Sequence, residues 1–362
     1  MKNNHVPQAN SREDIFLGRN SSRKSNKRKR ILKVDPSQLR IIDATSEQAE
    51  DWTKVFVKGI RNFRWINKYL REQNITELDI KLSFQQDIQQ KLENELFLIA
   101  YYRTIPIGII RFDKYFFSSG IKILSHFPLV VPRFQGKGIG SKLVQVGISK
   151  ARKKGFKNIW AECWSKDQRE LAIYTSFYLK NGFRIKSKRF EMKCSLQKFN
   201  LSSAMTGSKL ETVTRNDLTK EFIETLSHSY AQSTDQLHKI EQLSNFENCK
   251  EFLENTESDF EKEGYEVKYT LARFEGKPCG ALMTADSSHR GFVLEIGILP
   301  EFRRKKIAQT MLIDYILKVK NHGCDEVILA VDELNEGAIS LYKKIGFRKT
   351  WYGIMLLYEN DD

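Results

Sequence analysis

The sequence predicts a duplicated α/β fold, each copy an α+β mixed sheet with helices packed on it, and three observations predict it. The chain has 362 residues, about two domains at the usual prior of roughly 100–200 residues each. Hydrophobic residues make up 40% and aromatic residues 11%, enough to bury substantial cores and to exclude a wholly disordered chain. The order of strand-like and helix-like segments in residues 37–200 recurs in residues 209–362, which makes duplication the economical explanation.

The elements follow in order. Residues 1–36 are polar and carry the run Arg23, Lys24, Lys27, Arg28, Lys29, Arg30 with no apolar periodicity before Ile31. They read as a disordered basic arm, able to meet an anionic partner such as nucleic acid, a ribosome or another anionic surface. No aromatic residues interleave with the charges as a stacking platform requires, so a solvated tail is the plainer reading. LRIIDAT (39–45) opens a strand in the first copy and LETVTRN (210–216) in the second. An aromatic-rich helical region with Trp52, Phe56, Phe63, Trp65 and Tyr69 comes next. Such a stripe is more often core than an acceptor pocket. FLIAYYRTIPIGIIRF (97–112) and YTLARFEGKPCGALMT (269–284) are twin hairpins, with Pro106 and Gly108 matching Pro278 and Gly280.

VPRFQGKGIGSKL (131–143) then stands 168 positions before LPEFRRKKIAQTM (299–311). In the helix after the first, Leu143, Val144, Gly147, Ile148 and Ala151 share one face, and Gly155 supplies the stop. The twin helix carries Met311, Leu312, Tyr315, Ile316 and Val319. Each is followed by a short apolar strand, a second helix and a Gly-Phe pair, Gly182-Phe183 or Gly346-Phe347. Residues 201–208, small and polar, read as the linker between an N-terminal domain (37–200) and a C-terminal domain (209–362).

Charge is unevenly placed within the formal total of +15. Residues 1–36 hold ten Lys/Arg and three Asp/Glu, residues 37–200 hold thirty and fifteen, and residues 201–362 hold twenty and twenty-seven. The longest apolar runs fall far short of the roughly 20 residues a spanning helix needs, so no membrane segment is expected. The amino terminus lacks the apolar core of a secretory signal, so the expected location is the cytoplasm. Five scattered cysteines with no C-x-x-C pair predict neither a disulfide framework nor a metal site.

One turn carries chemistry. Gln135-Gly136-Lys137-Gly138-Ile139-Gly140 joins an apolar strand to a helix, where glycines admit a ligand to the backbone and the first-turn amides bind phosphate oxygens. It fits neither the P-loop spacing nor the G-x-G-x-x-G dinucleotide fingerprint, because Leu143 stands where the third glycine belongs. Combined with Tyr178-x-x-x-Gly182-Phe183, the segment resembles the GCN5-related N-acetyltransferase (GNAT) superfamily. Gln135-x-x-Gly138-x-Gly140 is similar to the family's Q/R-x-x-G-x-G/A pyrophosphate loop. In the second copy, Arg303-Arg304-Lys305-Lys306-Ile307-Ala308 is similar to the same loop, and Asn335-x-x-Ala338-x-x-Leu341-Tyr342-x-x-x-Gly346-Phe347 resembles the family's late helix. The departures are complementary: Leu171 and Tyr174 stand where the family has Asn and Ala, and Lys306 replaces a loop glycine.

The resemblance implies tandem acyl-CoA N-acyltransferase domains that move the acetyl group of acetyl-CoA to a primary amine of a small molecule or peptide. It implies that pantetheine pairs along Leu129, Val130 and Val131, and that the pyrophosphate rests on Gly136, Lys137, Gly138, Ile139, Gly140 and Ser141. Tyr178, with Tyr342 as counterpart, is the expected acid for the departing thiolate, a role suited to a phenol that stays protonated at neutral pH. A backbone N–H near Val131 is the expected oxyanion donor. His126 and Glu295, placed at the starts of the strands before the two loops, are the candidate bases. The intact loop favours the first half as the acetyl-CoA site. The other class of function is a CoA-binding scaffold, or a nucleic-acid- or ribosome-docked adaptor, in which Lys306 and the basic arm serve binding without turnover.

Overall fold

Why two copies of one motif series form a single sheet is answered by their last strands. The computed structural model describes residues 34–63, 70–71, 74–90, 95–114, 120–124, 127–197, 199 and 210–359. Residues 1–33 of the basic arm, the linker 201–208, Trp65, Tyr69 and the candidate base His126 lie outside the described residues.

In the first half the order is β1 (Leu39–Asp43), α1 (Ala49–Gly59), α2 (Glu77–Gln89), β2 (Leu96–Tyr102), β3 (Ile105–Lys114), β4 (Gly120–Ile123), β5 (Leu129–Val130), α3 (Ile139–Lys153), β6 (Asn158–Ser165), α4 (Gln168–Leu179) and β7 (Phe183–Ser195). The second half follows with β8 (Leu210–Arg215), α5 (Lys220–Tyr230), α6 (Gln236–Ile240), α7 (Phe246–Lys262), β9 (Glu266–Phe274), β10 (Lys277–Asp286), β11 (Arg290–Ile298), α8 (Ile307–Asn321), β12 (Glu326–Asp332), α9 (Glu336–Ile345) and β13 (Arg348–Tyr358). Local chemistry sets the helix ends. Asp167, Thr219 and Asn245 accept first-turn amides of α4, α5 and α7, and Gly155 and Gly323, both at positive φ, follow α3 and α8.

The strands run in the order β1-β2-β3-β4-β6-β13-β7-β12-β11-β10-β9-β8, with β5 on β3. The final strands are exchanged. β13, from the second repeat, lies antiparallel to β6 with Tyr352 opposite Ser165, while β7, from the first, lies antiparallel to β12 with Asp332 opposite Arg189. The two also pair with each other from Arg348–Lys193 to Tyr358–Phe183, so residues 34–362 form one unit.

Each half contains one parallel pair that parts midway. β4 and β6 are paired only as far as Ile123 and Ala161, and β11 and β12 only as far as Val293 and Leu329, although β12 runs on to Asp332. The apolar strand expected before the Gln135–Gly140 turn is only two residues long, Leu129–Val130. The strand before the second loop begins at Arg290, so Glu295 lies inside it and not at its start.

The core spans both repeats. Met192 and Cys194 of β7 are buried with Leu312, Ile316 and Tyr342 of the second half, and Trp160 of β6 and Met355 of β13 are buried with Leu226, Leu253 and Met283. All five cysteines are free and buried. Among the described residues no helix is long and apolar enough to cross a membrane, and no His/Cys/Asp/Glu group could hold a metal ion. Leu356→Ala, at a fully buried position of β13, is expected to cost about 2–5 kcal/mol. Because β13 serves both repeats, urea unfolding followed by a probe in each half should move as a single transition; two separated transitions would contradict the shared sheet.

Candidate active site

In the first half, β5, the loop after it, the start of α3 and the last turns of α4 enclose a cleft of about 510 Å³, within the roughly 300–1,000 Å³ typical of ligand pockets. Leu129, Val130, Gln135, Gly136, Gly138, Ile139, Gly140, Ser141 and Tyr178 line it together, joined by Phe63, Phe134, Tyr174 and Phe177. Val131 and Lys137 are outside the lining. The Val131 amide donates to the Ile107 carbonyl at 2.9 Å, so it is not a free oxyanion donor.

The loop is held by its own residues. Gln135 Nε2 donates to the Val130 carbonyl at 2.8 Å, tying the loop back to the strand. Gly136 and Gly138 have φ of 69° and 79°, and nothing lies within 4 Å of where a Cβ would stand on either. Left-handed backbone favours glycine, and the open space leaves a bare backbone surface. The first-turn amides of α3 have no carbonyl partners within the helix and no side-chain cap, so they face the cleft as an anion cradle.

The second loop keeps the same backbone without the glycines. Arg304 and Lys306 have φ of 65° and 63°, and Arg303 Nε donates to the Ile298 carbonyl at 3.1 Å in the manner of Gln135. Lys305 lies over the rings of Phe274 and Phe302. Ile307 is buried at the start of α8 and Ala308 follows it in the first turn.

Tyr178 sits in the last turn of α4, 1% exposed, and its hydroxyl donates to the Phe127 carbonyl. Burial raises its pKa well above the ordinary value, helped by Cys163, so the phenol is protonated across the physiological range. Tyr174, one turn earlier, stacks on Phe63 with ring centroids 5.0 Å apart and donates to Glu170 at 2.7 Å. Tyr174 and Phe63 thus join the helix walls of the cleft. Within the aromatic stripe, Trp52 instead stacks on Phe84 in the core.

In the second half the equivalent space holds polar side chains. Glu295 accepts from the hydroxyl of Tyr230 and lies 3.6 Å from His238 Nε2. Burial raises the Glu295 carboxyl, against the opposing pull of His238 and Tyr230. His238 is also 3.9 Å from Asp235, which Arg189 of β7 clasps. Burial works to raise the Asp235 carboxyl, but Arg189 and His238 outweigh it and hold the group below the ordinary carboxylate range. Tyr342 is buried nearby, its phenol raised by burial and then by Glu295. Sequence reasoning missed Arg189, Asp235, His238 and Tyr230; Arg189 joins the other three only because β7 crosses into the second half.

A model described as the Acetyltransferase (GNAT) family matches residues 60–183 and again residues 234–347, more than half of the chain. An acetyltransferase of Pectobacterium atrosepticum is 29% identical over 79 residues, covering 22% of this chain and 56% of the relative, so the chain spans about half the length of that curated relative. Among solved structures, a tandem GNAT protein from the clavulanic acid biosynthesis pathway has a TM-score of 0.56 at 12% identity, over 90% of this chain and all of its own. A GCN5-related N-acetyltransferase from Sphaerobacter thermophilus has a TM-score of 0.55 at 14% identity, over 89% of this chain and 96% of its own. At these identities the structural likeness is one of fold.

The two loops predict opposite responses to matched changes. Arg304→Gly, which relieves a left-handed non-glycine residue, should raise stability by about 0.5–1 kcal/mol, and Gly136→Ala should lower it by about 1 kcal/mol. Urea titration of both variants checks the signs.

Proposed function

Because the chain belongs to the Acetyltransferase (GNAT) family and carries its domain twice, we propose that it is an N-acetyltransferase moving the acetyl group of acetyl-CoA to a primary amine of a small molecule or peptide. The first half is the acetyl-CoA site. The observation that carries this reading is the cleft in which the glycine loop and Tyr178 face one space.

The residues of that cleft suit the cosubstrate. Gly136 and Gly138 leave the backbone bare where a pyrophosphate would sit, and the amides at the start of α3 would bind its oxygens. Leu129 and Val130 pair with β3 on one side only, which leaves their other edge for an extended pantetheine arm. Bound acetyl-CoA supplies an activated acyl group and departs as a thiol. Phe127, Phe134 and Phe177 give the site an apolar lining. Tyr178 holds its proton at the hydroxyl, one hydrogen bond from the Phe127 carbonyl, and would turn from that acceptor to protonate a thiolate.

Thiol release from acetyl-CoA, measured across a panel of primary amines, tests the activity. Tyr178→Phe should lower kcat about 100-fold and leave acetyl-CoA affinity unchanged, since only a hydroxyl and one carbonyl partner are lost. Wild-type turnover in that variant would remove Tyr178 from the acid role. Absence of thiol release with every amine would count against the activity itself.

A further inference from the structure

The polar cluster of the second half occupies the place that is a cleft in the first. Glu295 stands on β11 where Phe127 precedes β5, Tyr342 lies in the last turn of α9 as Tyr178 does in that of α4, and Ser233 follows α5 much as Phe63 follows α1. Phe127, Tyr178 and Phe63 all line the first cleft. Among their second-half counterparts lies a guanidinium: Arg189 Nη1 donates to both Asp235 oxygens, at 2.8 and 3.0 Å. The Arg189 side chain is 13% exposed and that of Asp235 5%. Ser233 Oγ is 3.0 Å from His238 Nδ1, and His238 stands between the Asp235 and Glu295 carboxylates.

Arg189 has a definite counterpart. The offset that carries Gly182-Phe183 onto Gly346-Phe347 carries Arg189 onto Gly353. The sheet agrees, because Arg189 lies opposite Asp332 of β12 while Gly353 lies opposite Trp164 of β6. Arg189 and Gly353 also lie opposite each other in the β7–β13 pair. At one and the same position of the two exchanged strands, therefore, the second half receives a guanidinium and the first receives no side chain. A Cβ on Gly353 would stand 2.5 Å from the Trp164 ring, so the asymmetry is built into the packing.

We propose that the second half retains a binding pocket for a guanidinium or alkylammonium group, formed by Asp235, Glu295 and His238, and that the chain's own Arg189, delivered on the exchanged strand, is its occupant. The buried Asp235 carboxylate requires a cation, and a guanidinium matches a carboxylate better than a point charge does. At the matching position of the first half Gly353 brings no side chain, and the Trp164 ring fills the space beside it. The inference goes beyond the acetyl-CoA reading, and failure of that reading would leave its test intact.

The test is chemical rescue on the full-length protein. Arg189→Ala should lower Tm, because Asp235 is left buried without its cation. Ethylguanidinium chloride at about 10 mM, against NaCl of equal ionic strength, should then raise the variant's Tm by about 2–4 °C. Wild type, whose pocket is filled, and Arg189→Ala/Asp235→Asn, whose carboxylate is gone, should show no rise. No rise in the single variant, an equal rise in wild type, or a rise that survives Asp235→Asn would each overturn the proposal. If Arg189→Ala does not accumulate as folded protein, refolding from urea decides: recovery specific to ethylguanidinium supports the pocket, and equal recovery in NaCl contradicts it.

Discussion

The antiparallel pairing of β7 with β13 is the constraint on which the rest of the structure depends. Each strand completes the sheet of the repeat it does not come from, so neither repeat can close its core alone. The pairing also reaches the sites. Tyr358 of β13 packs on Phe183 with centroids 5.4 Å apart, and Phe183 packs on Tyr178 at 5.2 Å. Two ring contacts therefore connect the end of the second repeat to the first-half cleft. In the opposite direction, Ser187 and Arg189 of the first repeat bond Asp332 and Asp235 of the second. Aromatic pairs of this kind contribute about 0.5–1.5 kcal/mol beyond burial, while losing a partner of a buried ion pair costs several.

The two loops show how much of a backbone is set by its surroundings. Both take left-handed φ at matching positions, one with Gly136 and Gly138, the other with Arg304 and Lys306. What they share is a side-chain brace from the loop to a strand carbonyl, Gln135 to Val130 and Arg303 to Ile298, and a long helix packed against the sheet. The strain of two non-glycine residues persists because those neighbours over-determine the turn. In the first half the glycines leave both the conformation and the space unencumbered, which a ligand that sits on backbone needs.

Much of the architecture was legible in the sequence, for reasons that can be named. Apolar spacing in 143–151 and 311–319 marks helix faces, and Gly155 and Gly323 mark their ends through positive φ. The glycine loop and Tyr178 were legible as a pair, and they line one cleft. The exchange was not legible. Alternation along Phe183–Ser195 says which residues share a face, but not which neighbour the strand chooses, because register and partner are set by the whole sheet. The misjudged position of Glu295 has a local cause: the apolar run before the loop is shorter than β11, whose first residues, Arg290 and Gly291, carry no strand signal. The cluster of Arg189, Asp235, His238 and Glu295 is scattered over about a hundred positions, and only the strand crossing brings Arg189 to the other three.

The central claim is that one half, the first, is the acetyl-CoA site. Calorimetric titration with acetyl-CoA tests it most directly, comparing the protein with Gly138→Glu and with Lys306→Glu. The account predicts one equivalent bound per chain, lost in Gly138→Glu, where a carboxylate would fill the open space beside the first loop, and retained in Lys306→Glu. Two equivalents per chain, or binding lost in Lys306→Glu and kept in Gly138→Glu, would contradict it.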